Sequence, residues 1–82
     1  MIFLERLGVV GVVIENLNSV NRVNEILQEF NFIIVGRLGI PYKERGVSII
    51  SLVVDGSTDN IGSLTGKLGS LDGVKVKSAL TK

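Results

Sequence analysis

The sequence predicts an α+β fold with the element order β-α-β-β-α-β. Short segments rich in valine and isoleucine alternate with two segments in which apolar residues recur at helical spacing. The 82 residues suffice for one domain. Apolar residues make up 45% of the chain and aromatic residues only 5%. We therefore expect an aliphatic core built from sheet faces and helix stripes.

The N-terminal third predicts a strand followed by a helix. Residues 6–15, RLGVVGVVIE, are β-branched and too short for a helix, which favours a buried strand. Residues 16–31 then change to a helical period. The apolar stripe consists of Val20, Val23, Leu27 and Phe30. Asn18 or Ser19 is expected to cap this helix and Asn31 to end it.

Two further strands are predicted in the middle of the chain. They are residues 32–41, FIIVGRLGIP, and residues 47–56, VSIISLVVDG. Pro41 cannot donate a hydrogen bond to a sheet, so it belongs at the end of its strand or at a sheet edge. Gly46 lies in the turn between the strands, where it is free to adopt a positive φ.

The C-terminal third predicts a second helix and a fourth strand. Its helical stripe is Ile61, Leu64, Leu68 and Leu71. The expected caps are Thr58, Asp59 or Asn60 at the start. Gly73 is expected to close the helix in the C′ position. Residues 74–79, VKVKSA, alternate apolar residues with lysine, as in a half-buried edge strand. This order is that of a ferredoxin-like fold, with two helices on one face of a four-stranded antiparallel sheet.

The predicted strands are apolar in both of their registers. In the first strand one face would carry Val10, Val12 and Ile14, and the other face Leu7, Val9 and Val13. In the second strand the two faces would carry Ile34, Leu38 and Ile40 on one side and Ile33 and Val35 on the other. In the third strand they would carry Ile50, Leu52 and Val54 on one side and Val47, Ile49 and Val53 on the other. A sheet with one face in water should instead alternate apolar and polar residues. We expect the face without helices to be an interface in a homo-oligomer, a dimer or a tetramer.

The composition argues against several classes of function. Nine basic and eight acidic residues give a net charge of +1, so direct binding to nucleic acid is not expected. Cysteine and histidine are absent, which disfavours zinc, iron–sulfur and soft metal sites and excludes catalytic triads built on these residues. Glu15, Asp55 and Asp59 lack the spacing of a calcium-binding loop. We expect no metal, no cofactor and no catalytic residues.

No membrane segment or signal peptide is expected. The longest apolar stretch, residues 9–14, has six residues, whereas a membrane-spanning helix needs about 20. Glu5 and Arg6 interrupt the N-terminus before an apolar run can form. A cytoplasmic location is the simplest expectation.

The glycines of the second helix raise the question of a phosphate-binding loop. Gly62 and Gly66 are separated by three residues instead of four, and Leu68 occupies the position of the magnesium-binding hydroxyl. The preferred interpretation is a stripe of Gly62, Gly66 and Gly69 beside the leucines. Each helical glycine costs about 0.5–1 kcal/mol relative to alanine, so close packing or a ligand is expected to compensate.

Two stretches carry a resemblance to a known family. Residues 59–80, DNIGSLTGKLGSLDGVKVKSAL, combine a polar cap, a small-residue helix with a Gly-Lys-Leu-Gly core, and a Gly-Val-x-Val-Lys strand. Residues 36–54, GRLGIPYKERGVSIISLVV, supply an Arg-x-Gly-x-Pro run before an apolar strand. The chain resembles the iron-only hydrogenase system regulators in these stretches, and the likeness extends over about residues 9–77.

The resemblance implies an ACT-like domain, here over residues 1–82, which is also similar to the sensing half of the nickel-responsive repressor. Such domains assemble through their sheets and bind small effectors where subunits meet. The nickel site is not carried over, because this chain has no histidine or cysteine. Nor is an amino-acid ligand, because the first strand-to-helix loop, residues 15–19, has no Pro-Gly.

Six residues are candidates for effector binding. They are Asn16, Asn18, Ser19, Arg37, Gly39 and Lys67. The two asparagines and the serine are otherwise capping and turn residues. Arg37 is either an edge or intersubunit charge or a clamp for a carboxylate or phosphate. Lys67 is either solvated or an anion contact.

Two functions are consistent with these observations. The first is a non-enzymatic regulatory domain that oligomerises, binds a small effector and reaches DNA only through a separate DNA-binding partner, since the sequence shows no helix-turn-helix. The alternative is a scaffolding subunit without a ligand. An interfacial pocket with convergent polar groups would distinguish the first from the second.

Overall fold

The computed structural model describes residues 5–81 and confirms the ferredoxin-like order. Its elements are β1 (Glu5–Ile14), α1 (Val20–Glu29), β2 (Ile34–Tyr42), β3 (Val47–Ser57), α2 (Thr58–Gly69) and β4 (Val74–Thr81). Short 3-10 turns occupy Leu17–Ser19, Asn31–Ile33 and Lys43–Arg45. Residues 1–4, part of the stretch considered for a signal peptide, lie outside the described range. Within that range no helix has the length and hydrophobicity needed to cross a membrane.

The four strands form one antiparallel sheet in the order β2-β3-β1-β4. β2 and β4 are therefore the edges, as Pro41 and the lysines of β4 predicted. Pro41 stands opposite Ser48 near the end of β2, where its missing N–H costs little. Lys75 and Lys77 stand opposite Val13 and Gly11, so both lie on the face that the helices leave uncovered.

The core lies between the helices and one register of the central strands. Its strand residues include Val10, Val12 and Ile14 of β1 and Ile50, Leu52 and Val54 of β3, and its helix residues include Val23, Ile26 and Leu27 of α1 and Ile61, Leu64 and Leu68 of α2. All of these are buried. The predicted helical stripes are confirmed in the main, although Val20 and Leu71 are only partly buried and Leu71 lies beyond the end of α2. The structure also settles which register of the sheet packs on the helices, which the sequence left open.

The register predicted for β2 is wrong in one respect. Ile34, Leu38 and Ile40 were expected to share a face, but Ile34 pairs with Val54 of the buried register while Leu38 and Ile40 pair with Ser51 and Ile49 of the other. A shift in pairing between Ile34 and Gly36 inserts an extra residue. Such a bulge reverses the facing of all later side chains in the strand.

The predicted helix caps also need correction. Ser19 occupies the N-cap position of α1 but makes no side-chain capping bond, and the Asn18 side chain does not cap this helix either. α1 ends at Glu29, two residues before Asn31. In α2 the cap is Ser57, whose hydroxyl accepts from the Asn60 N–H at 3.1 Å. Ser57 caps α2 in place of Thr58, Asp59 or Asn60, because β3 ends at Ser57 and the helix begins at the next residue.

Gly73 has a positive φ, +69°, but it is not the C′ residue of α2. The helix ends at Gly69, and Gly73 instead meets the loop after β1. Its carbonyl accepts from the Glu15 N–H at 2.6 Å. A Cβ at this position would lie 2.5 Å from Cβ and 2.7 Å from the backbone nitrogen of Asn16. Both the backbone angle and the space therefore require glycine.

We predict that Gly73→Ala lowers the free energy of unfolding by about 2–4 kcal/mol, because left-handed backbone strain adds to the clash with Asn16. Gly46→Ala is the matched control: its φ is +67°, but a Cβ there meets no atom within 4 Å. That variant should lose only about 1–2 kcal/mol. Urea unfolding followed by circular dichroism measures both. Equal losses would show that the contact with Asn16 is not restrictive.

Candidate functional site

The uncovered face of the sheet exposes a continuous apolar surface, which we call the outer face. Its side chains are Leu7, Val9 and Val13 of β1, Ile49 and Val53 of β3, and Leu38 and Ile40 of β2. Except for the half-buried Val13, their exposed fractions lie between 39% and 61%. Together they form an exposed aliphatic patch, and a soluble monomer rarely exposes contiguous apolar patches larger than a few hundred Å².

The centre of the outer face is flat and its rim is charged. Gly11 and Ser51 stand opposite each other on the two central strands, so no large side chain projects from the middle. Asp55 lies at one end, opposite Leu7, and Lys75 and Lys77 lie along β4. An apolar centre within a charged rim is the usual anatomy of a protein interface.

One end of the outer face contains a concavity of about 480 Å³, which we call the end pocket. It is lined by Val13, Glu15, Tyr42, Arg45, Gly46, Val47 and Ile49. The strand pairing explains why these residues meet: Ile49 pairs with Val13 on one side, and its neighbour Val47 pairs with Tyr42 on the other. The 3-10 turn Lys43–Arg45 then brings Arg45 to the rim.

The polar groups of the end pocket are a carboxylate, a phenol and a guanidinium. Glu15 Oε1 lies 3.7 Å from Lys75 Nζ, so its charge is partly balanced. Arg45 makes no ion pair with the other residues in the range 5–81. An apolar floor with a few convergent polar groups is the general form of a small-molecule site.

The sequence alone does not indicate the end pocket. Tyr42 and Arg45 fall between the second and third predicted strands, and Glu15 was considered only as a cation ligand. The available signal was the position of an aromatic residue and an arginine just before Gly46, between two strands that are apolar in both registers. Only the pairing of three strands brings Glu15 to the same place.

Two of the predicted effector residues, Asn16 and Ser19, hold the loop after β1 to the turn before β4. Asn16 Nδ2 donates to Asp72 Oδ2 at 2.6 Å, and the Ser19 hydroxyl donates to the Asp72 carbonyl at 2.7 Å. The Asn18 N–H donates to Asn16 Oδ1 at 3.0 Å, which closes a local turn. These bonds stabilise the local structure around the three residues. Their role in effector binding remains a prediction.

The other three predicted residues lie elsewhere. Arg37 is on the helix side of β2, and its Nη2 donates to Asn24 Oδ1 of α1 at 2.9 Å. Gly39 follows on the same side, opposite Ile50. Lys67 of α2 lies 3.6 Å from Glu29 Oε1 and 5.5 Å from the ring centre of Phe30. Within a single chain, the contacts of the six predicted residues thus fall in separate places; whether copies bring them together remains a prediction.

A groove of about 540 Å³ borders the loop after β1 on the helix side. It is lined by Leu17, Val20, Asn21, Pro41, Lys43, Gly46, Val47 and Ser48. Its lining is mainly apolar, and none of the six predicted effector residues belongs to it.

The glycines of α2 line a further groove of about 550 Å³ beside β4, which we call the glycine groove. It comprises Gly62, Thr65, Gly66 and Gly69 of α2 and Val74, Val76, Lys77 and Ser78 of β4. A Cβ at any of the three glycines would meet no atom within 4 Å. The close packing expected of this stripe therefore does not occur within the described chain.

The acidic residues considered as metal ligands are far apart. Glu15 and Asp55 lie at opposite ends of the outer face, and Asp59 is in the first turn of α2. Within residues 5–81 there is no group of three or more acidic side chains placed to hold a metal ion.

Comparison with known proteins identifies the family. The family model described as "TM1266-like: Iron-only hydrogenase system regulator, putative" matches residues 6–78. The chain belongs to this family. The resemblance inferred from the glycine-rich helix and the Arg-x-Gly-x-Pro run is thereby confirmed. A comparison with curated proteins gives no match.

A solved member of this family has the same fold. The uncharacterized protein TM1266 from Thermotoga maritima is 36% identical over 96% of this chain and 100% of its own, with a TM-score of 0.91. A nitrogen regulatory PII-like protein from Thiomonas intermedia K12, solved with ADP, AMP and bicarbonate, is 16% identical over 94% of this chain and 96% of its own. Its TM-score of 0.45 is too low to carry a conclusion.

We predict that Gly66→Ala raises the free energy of unfolding by about 0.5–1 kcal/mol, because alanine favours the helix and the glycine groove has room for its methyl group. Gly56→Ala is the contrasting control, since its Cβ would lie 2.7 Å from Ile33 Cγ2 in the core. That variant should be destabilised. Chemical unfolding of a dilute sample measures both, and a less stable Gly66→Ala would contradict an open groove.

Proposed function

We propose that the chain is a non-enzymatic regulatory subunit of an iron-only hydrogenase system. It associates with copies of itself through the outer face and binds a small effector where the copies meet. The apolar outer face is the observation that carries the proposal, because a patch of this size is unfavourable in water. The family assignment supports the regulatory role.

The chemistry of the side chains supports a role without catalysis. The chain has no histidine or cysteine, so general acid–base or nucleophilic catalysis would depend on carboxylates, lysines and Tyr42. In the end pocket Glu15 is near Lys75. A binding role requires only the charged, polar and apolar side chains that line the end pocket.

An effect on transcription would act through a separate DNA-binding partner. The net charge of +1 provides no basic surface for the phosphate backbone, and both helices pack their apolar stripes on the sheet. The regulated genes, and the cytoplasmic location expected from the sequence, remain predictions. The purified protein alone should not retard DNA in a gel at physiological salt; retardation by the protein alone would contradict this part of the proposal.

A scaffolding subunit without a ligand is the second candidate. The outer face favours it as strongly as it favours the regulatory proposal, since both need self-association. The end pocket separates the two, because a scaffold has no need for a carboxylate, a phenol and a guanidinium around an apolar floor.

Native mass spectrometry of the purified protein, compared with its denatured mass, tests both candidates. We expect a defined dimer or tetramer that carries an additional small mass, lost on denaturation. A defined oligomer without additional mass would favour the scaffold. A monomer at micromolar concentration would overturn the role of the outer face in both.

We predict that Leu38→Lys weakens self-association by about 100-fold or more, because a charge would be buried at the interface in each copy. Leu38 is 61% exposed in the single chain, so folding should be little affected. Leu17→Lys is the matched control: Leu17 is 53% exposed but lies in the loop after β1, away from the outer face. Sedimentation at several concentrations measures the association, and equal effects would show that the outer face is not the interface.

A further inference from the structure

The end pocket has charges that restrict the ligands it can accept. Its cation is Arg45, which makes no ion pair with other described residues. Its anion is Glu15, which already has Lys75 at 3.7 Å. The charge available to a ligand is therefore positive, which favours an anion. The carboxylate of Glu15 on the same wall disfavours a ligand with two negative charges, such as a phosphate monoester.

The geometry of the donors favours a carboxylate. The guanidinium of arginine offers two parallel N–H groups, which match the two oxygens of a carboxylate. Tyr42 lines the same concavity, and a phenol hydroxyl can donate a further hydrogen bond. Tyr42 ends β2 and Arg45 ends the 3-10 turn that follows, where the positive φ of Gly46 fixes the backbone.

The floor of the pocket requires an apolar body in the ligand. Val13, Val47 and Ile49 form this floor, and Ile49 remains 39% exposed without a ligand. The volume of about 480 Å³ is within the usual range for small-molecule sites. An aliphatic chain of a few carbons would cover these side chains and remove apolar surface from water.

From these observations we infer that the end pocket binds a small organic monocarboxylate with an apolar body, its carboxylate on Arg45 and Tyr42 and its body on Val13, Val47 and Ile49. This inference rests on the proposed function, because it specifies the chemical class of the effector. The residues of a single chain already form this concavity. Binding to it can be measured separately from self-association.

The test uses hexanoate as the probe and the full chain with labelled valine and isoleucine methyl groups. We expect saturable chemical-shift changes at Val13, Val47 and Ile49. Hexanamide, which has the same shape without the charge, should bind about tenfold more weakly or worse, and inorganic phosphate should not compete. Hexanamide binding as tightly as hexanoate, or phosphate displacing hexanoate, would overturn the inference.

Variants identify the residues that bind the probe. Arg45→Gln should weaken hexanoate binding by about tenfold or more, and Tyr42→Phe by a smaller factor. Arg22→Gln is the matched control, since Arg22 is exposed on α1 and contacts Glu25. It should bind like the unmodified chain. Arg45→Lys preserves the charge and should recover part of the affinity, which excludes unfolding as the cause. Equal affinities for Arg45→Gln and Arg22→Gln would contradict the inference.

The mass of the same samples separates this inference from the proposed function. A monomer that binds hexanoate through Arg45 would support the pocket and overturn the assembly. An oligomer without Arg45-dependent binding would overturn the pocket alone.

Discussion

The structure depends on a single constraint: two apolar registers share a sheet that has only two helices to cover it. Val12 and Leu52 are fully buried under the helices, whereas Val9 and Val53 on the same strands remain half exposed. A connection of the β-α-β type places both helices on one side of the sheet, so no part of the described chain can cover the other. The core and the outer face thus have the same origin: successive residues of these strands point to opposite faces of the sheet, and both sets are apolar.

The sequence was sufficient wherever a periodic pattern was long. The helical stripe ending in Phe30 and the residues Ile61, Leu64 and Leu68 of the second stripe were predicted correctly, whereas Leu71 lies beyond the end of α2. The edge position of β4 was also predicted correctly. Burial of apolar faces outweighs local preferences over such lengths. The apolar outer face was also predictable. The register of the first strand that contains Leu7 and Val9 is apolar, whereas a face in water would have polar residues there. The family followed from motifs instead of physics, and it gave no residue-level description of a site.

The features that the sequence did not reveal depend on a single residue or on long-range contact. One extra residue near Val35 reverses the facing of the rest of β2, and no composition signal marks it. The positive φ of Gly73 allows its backbone to approach Asn16, which lies 57 positions earlier in the chain. The rules for helix ends therefore predicted the wrong role for this glycine. The end pocket combines Glu15 with Tyr42 and Arg45 for the same reason: strand pairing brings together residues that are distant in sequence.

The end pocket and the outer face share side chains, so the proposed ligand binding would be linked to the proposed assembly. Val13 and Ile49 belong to both, so a ligand on them alters the surface that a second copy would meet. If a bound ligand fills the concavity, it extends the apolar contact and favours association; by thermodynamic reciprocity, association then raises the affinity for the ligand by the same factor. A small chain with a marginal core would also gain stability from both events. Under the proposed function, a regulator of this size would need no moving domain, because the concentration of effector alone could set the population of the oligomer.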